Sequence, residues 1–169
     1  MIDGVKHDGP GPLLAFAMIV LLLASAVVDA QDAAAEYGLS LTLEQARTVT
    51  AAAKAAAHPK QWRVAVAVVD SGGHLVLLER MDGTQFGSIE IARQKAWTAV
   101  AFRRPSKAFE DMVAAGGAGV RLLRLEGATP IEGGIPLLRE GRIVGAIGVS
   151  GATSEQDGIV ARTGAAALK

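Results

Sequence analysis

The run Val64–Val69 (VAVAVV), closed by Asp70, constrains this chain more than any other segment. It is apolar throughout and β-branched at alternate positions, and too short for an independent helix. It therefore predicts a strand buried on both faces. Ser71-Gly72-Gly73-His74 supplies a turn, and Leu75–Met81 (LVLLERM) returns as the partner strand of a hairpin. A second hairpin is expected from Ile135–Leu138 and Arg142–Ser150 around Glu140-Gly141. Strands joined by tight turns run antiparallel. Gly145 and Gly148 in the last strand point to close backbone approach by a neighbour or a ligand.

The remaining segments read as helices. Thr42-Leu43-Glu44-Gln45 has capping-box spacing, and Ala46, Val49, Ala53 and Ala56 follow as an apolar stripe until Pro59. Ser88 is expected to cap a helix from Ile89 to about Phe102, and Ser106 a shorter one ending at Ala115. Gly116–Gly119 is a loop, and Leu122–Ile131 leaves room for a short strand. Thr153 to Gln156 repeats the capping box and opens a final helix to Leu168. The expected class is α+β: one domain, a central antiparallel sheet with helices on its faces.

The start of the chain has a different character. Residues 1–30 carry a short polar head with Lys6, an uncharged run Leu13–Val28, and small residues at Val28 and Ala30 before Gln31. That is the order of a cleavable export signal. The run is shorter than the ~20 residues a membrane span needs. Left uncleaved, it would be the chain's one membrane contact. Ala24-Ser25-Ala26 offers an earlier cleavage site. Residues 31–40 read as a short Ala-rich leader with helical tendency, and 41–169 as the domain. Export implies a periplasmic or secreted protein.

Composition narrows the chemistry. The chain has 17 basic and 17 acidic residues; losing Lys6, Asp3, Asp8 and Asp29 with the signal leaves a net charge of +2. Such a balance argues against nucleic acid held through bulk charge. Cysteine is absent, which excludes disulfides, thiolate metal sites and a Cys nucleophile. Beyond residue 30 only His58 and His74 remain, neither in a triad or metal-binding spacing. Asp70 before Gly-Gly suits an acceptor for turn amides. Gly116–Gly119 lacks the following Gly-Lys-Ser/Thr of a phosphate loop. The start of the last helix (Ser150, Gly151, Thr153, Ser154) is a candidate cradle for a carboxylate. Lys95, Thr98 and Phe102 share a helix face with Trp97 beside it. Lys95 there requires either a partner, from Asp82 or Asp157, or a snorkelling path to solvent.

Several segments together resemble a known family. They are VVDSGGHL (68–75), Met81-Asp82-Gly83, Lys95-Ala96-Trp97-Thr98-Ala99, PIEGGIP (130–136), VGAIGVSG (144–151) and Glu155-Gln156-Asp157. In that order they are similar to the haem-degrading, GlcG/HbpS-like family, across about Leu41–Leu168. The resemblance implies a profilin-like sandwich, homo-oligomers and haem as cofactor. The export signal matches the secreted branch, whereas PIEGGIP matches the glycolate-operon branch. On this reading Phe102, Trp97 and Met81 line a haem slot and Lys95 meets a propionate. Ser150 and Gly151 border the anion, and Thr98 or His74 approaches the iron. The rival is a module binding a small carboxylate such as a 2-hydroxy acid through Lys95 and the Ser150–Ser154 helix start. A third reading is haem breakdown, for which no constellation supplies acid, base and nucleophile.

Overall fold

The structure is a computed structural model that describes residues 34–169. Residues 1–30, read above as an expected export signal, and the first residues of the expected leader lie outside the described residues. Helix α1 (Leu43–Ala57) begins at the Thr42–Gln45 capping box, with both reciprocal bonds formed. It ends where His58–Lys60 tighten into a single 3-10 turn carrying Pro59. Strands β1 (Ala65–Asp70) and β2 (Leu75–Arg80) form the first hairpin. Helices α2 (Gly87–Ala101) and α3 (Lys107–Ala114) follow, then a 3-10 stretch over Gly117–Arg124. Strands β3 (Gly134–Arg139) and β4 (Arg142–Ser150) form the second hairpin, and α4 (Ser154–Ala166) closes the fold.

The sheet order is β2-β1-β4-β3, every pair antiparallel. The VAVAVV run is thus an interior strand, and its alternation divides the core. Val64, Val66 and Val68 point to the side covered by α1 and α4, where they meet Val49, Ala53 and Val160. Ala65, Ala67 and Val69 point to the side covered by α2. Fully burying a Val side chain contributes roughly 1.5–3 kcal/mol, so this strand anchors both layers.

The α2 side is built from small residues. Ala92, Ala96 and Ala99 lie against the sheet, and Gly148 sits beneath them. A Cβ at Gly148 would overlap the Ala92 carbonyl. The close neighbour expected at Gly148 is therefore a helix backbone. At Gly145 it is the Val69 carbonyl and the Leu41 side chain.

Several local expectations are corrected. The described part of the leader is extended: Tyr37 bridges Ile143 in parallel, and Gly38 N–H donates to Ile143 O at 2.8 Å. Pairing with β4 satisfies its backbone in place of helical bonds. Ser88 lies inside α2, buried with an unpartnered hydroxyl, because the helix starts two residues earlier than the sequence suggests. Ser106 does precede α3, but its hydroxyl makes no cap. It donates to Ile131 O at 2.7 Å and accepts from Gly134 N at 2.8 Å. No strand forms over Leu122–Ile131, which is 3-10 and turn. Among the described residues no helix is long and apolar enough to cross a membrane.

Candidate functional site

Lys95 projects from α2 into the interior and is 1% exposed. Its ammonium donates to Asp157 Oδ2 at 2.8 Å and to Val149 O at 3.0 Å. Asp157 is therefore its partner and Asp82 is not, and the snorkelling path is not taken. Burial pushes the Asp157 carboxyl above the usual carboxylate range, against the opposing pull of Lys95 and of the Ala152 and Gly151 amides. Lys95 offers no free cation to a ligand.

Thr98 is equally enclosed. Its hydroxyl donates to Gln94 O at 2.8 Å and accepts from Thr129 N at 2.9 Å, and the side chain is fully buried. The start of α4 is also occupied from within. Thr153 and Gln156 complete the capping box, and Asp157 Oδ1 accepts from Ala152 N at 3.1 Å. The helix end beside Ser150 and Gly151 thus already holds a carboxylate, its own. Gly151 has φ 147°, and a Cβ there would strike the Arg63 backbone.

The aromatic residues stay together but apart from Met81. Phe102 packs edge-on to Trp97 with ring centroids 5.9 Å apart, and against Phe109 at 5.0 Å. The Trp97 indole is wedged between Gly73 and Gly127, both at positive φ. A Cβ would lie 3.0 Å from the ring at Gly73 and 2.8 Å at Gly127, so both positions demand glycine. Trp97 borders a cavity of about 380 Å³ with Arg93, Gln94 and Thr129. Met81 belongs to a different one. The expected slot of Phe102, Trp97, Met81, Lys95 and Thr98 is therefore not one pocket.

His74 rides on the β1–β2 turn. Asp70 Oδ1 accepts the amides of Gly72 at 2.8 Å and His74 at 2.9 Å, the turn role expected of it. Its Oδ2 lies 3.3 Å from His74 Nδ1, so the exposed imidazole is paired with a carboxylate four residues away.

The larger cavity, about 1070 Å³, opens where the end of α1 faces the end of β2. Ala55, Pro59, Trp62 and Met81 give it apolar wall. Lys54, Arg63 and Arg80 contribute three cations against Glu79 and Asp82. The Lys54 ammonium pairs with Glu79, and the Lys60 ammonium lies 4.4 Å from the Trp62 ring centroid. His58 is on this wall too. Of the residues expected from sequence to line the haem slot, only Met81 lies here. The others come from 54–63 and 79–82, and they converge only because α1 packs back over the sheet. Among the described residues no group of three or more His, Asp or Glu is placed to hold a metal ion.

A family model described as haem degrading protein HbpS-like matches residues 41–166. Protein GlcG of Escherichia coli K12 is 41% identical over 110 residues, 65% of this chain and 81% of GlcG. The corrinoid adenosyltransferase PduO of Citrobacter freundii is 34% identical over 142 residues, 81% of this chain but 42% of PduO. Among solved structures, a double mutant of HbpS from Streptomyces reticuli superposes with TM-score 0.72 at 35% identity, covering 78% of this chain and 89% of that one. A PduOC–haem complex superposes with TM-score 0.70 at 33% identity, covering 78% and 96%. The antiparallel sheet flanked by helices is the architecture of these neighbours. By the family match and by these relatives, the chain belongs to the HbpS-like family of haem-degrading proteins.

Proposed function

We propose that the protein is an exported, homo-oligomeric haem-binding protein that takes haem into the cavity between the end of α1 and the end of β2. The carrying observation is the chemistry of that wall. Haem is a flat apolar body with an anionic edge. Trp62 and Met81 offer an apolar face, and Arg63 and Arg80 offer guanidinium groups that suit propionates. The family and the haem complex of PduOC support the choice of ligand. When bound, haem would supply iron and its redox chemistry; the chain would supply the wall and the cations. Sensing or sequestration fits a site of this kind, in which cations face an apolar wall. Replacing Arg63 and Arg80 together by Ala should weaken haemin binding with the fold intact by circular dichroism. Unchanged affinity would contradict the cavity assignment.

A second reading is favoured by the smaller cavity. Its volume of about 380 Å³ suits a small carboxylate such as a 2-hydroxy acid, which would displace Glu90 from Arg93, whose guanidinium donates to the Glu90 oxygens at 3.0 and 2.6 Å. Arg93→Ala should abolish acid binding and leave haemin binding untouched. Glycolate that binds equally well to the variant would remove this reading.

A further inference from the structure

We propose that Glu90 is a built-in competitor at the smaller cavity: its carboxylate occupies the donors that a small carboxylate ligand needs, so removing it strengthens ligand binding. The inference rests on the small-carboxylate reading of that cavity. Arg93 Nε donates to Glu90 Oε2 at 3.0 Å and Arg93 Nη2 to Oε1 at 2.6 Å, a two-point grip that matches the shape of a carboxylate. Gln94 Nε2 adds a third donor, to Oε1 at 3.0 Å. Arg93 and Gln94 line the cavity, whereas Glu90, one turn back along α2, does not. The donors are thus held from outside the cavity they border.

Gln94 is oriented from its other end as well. Its Oε1 accepts from Thr129 Oγ1 at 3.1 Å, so the amide presents Nε2 to the carboxylate. Thr129 is buried, and its own N–H is held by the Thr98 hydroxyl on α2. A carboxylate clamp therefore stands ready before any ligand arrives, with Glu90 in it. The Arg93 guanidinium, helped by the Gln94 amide, holds the Glu90 carboxyl below the usual carboxylate range, so this occupant is ionised at neutral pH. Its grip is nonetheless easily broken. The Glu90 and Arg93 side chains are 52% and 43% exposed, and an exposed ion pair contributes little to stability. A free carboxylate seated in the cavity can take the same donors and leave Glu90 to water.

The test is a calorimetric titration of the full chain with glycolate, wild type against Glu90→Gln, Glu90→Ala and Arg93→Ala. Glu126→Gln is the control for net charge: it removes an exposed acid next to Gly127 on the cavity wall without touching the clamp. Both Glu90 variants should bind glycolate about two- to fivefold more tightly, the scale of an exposed ion pair released. Arg93→Ala should abolish binding, and Glu126→Gln should match wild type. Binding measurable only in the Glu90 variants would support the proposal in the same way. If wild type binds, Arg93→Ala does not, and the Glu90 variants bind no more tightly than wild type, the competitor is overturned and the small-carboxylate reading stands. If Glu126→Gln gains as much as the Glu90 variants, the gain is bulk charge and the competitor is again overturned. If none of the proteins binds glycolate, the small-carboxylate reading falls and the competitor with it.

Discussion

The Lys95 ammonium and the Asp157 carboxylate lie 2.8 Å apart in the interior, 1% and 2% exposed, and tie α2 to the start of α4 beside the end of β4. Gly133 borders the pair: a Cβ there would fall 3.0 Å from Lys95 Nζ and 3.1 Å from Asp157 Cβ. The pair therefore fixes the position of the loop before β3 as well as two helices.

Lys95→Ala should destabilise the fold rather than abolish a ligand contact. Removing one partner of a buried ion pair leaves the other uncompensated and costs about 3–5 kcal/mol. Urea unfolding measures this directly. A variant with wild-type stability and lost ligand binding would return Lys95 to the binding site.

Gly148→Ala should cost at least ~1–3 kcal/mol, because the new methyl meets the Ala92 carbonyl and the Ala96 backbone, neither of which can rotate away. Thermal melts check it. An unchanged melting temperature would mean that α2 is not seated on β4 as described.

Asp70 gives a pH dependence of known sign. Its burial raises the pKa, but the His74 and Gly72 amides, with the His74 ring, together outweigh that and the net direction is down. A depressed folded value means that the group's contribution is fully present above the ordinary carboxylate value of about 3.9. It is lost as pH falls through the folded value. Asp70→Asn should therefore cost about 1 kcal/mol at neutral pH. The gap between variant and wild type should narrow as the solution is acidified below about pH 4. A pH-independent gap would contradict the assignment.

What the sequence revealed was local, and what it hid was convergent. The capping boxes at Thr42 and Thr153 and the VAVAVV strand are written in contiguous residues, and they form as read. Ser88 and Ser106 have cap-like positions, yet their hydroxyls answer to burial and to Ile131 and Gly134, far along the chain. The Lys95–Thr98–Phe102 face was legible as a face. That it points inward depends on Asp157, 62 residues away. Met81 was found through a motif, but His58, Trp62 and Arg63 carry no motif. Their proximity to Met81 is a property of how α1 lies on the sheet.

Export makes a separate prediction about the N-terminus. Mass spectrometry of protein recovered outside the cytoplasm should find the chain starting at Gln31, or at Val27 if the earlier site is cut. Recovery only as full-length protein in membranes would contradict it.

Oligomer formation is checked by light scattering at micromolar concentration, where the proposal expects a mass above that of one chain. A strict monomer would remove the oligomer from the account.

The central claim is tested most directly by titrating the purified protein with haemin and following the Soret band. The account predicts a saturable change, weakened when Arg63 and Arg80 are both replaced by Ala and unaffected by Arg93→Ala. A flat titration, or one that saturates identically in all three proteins, would contradict it.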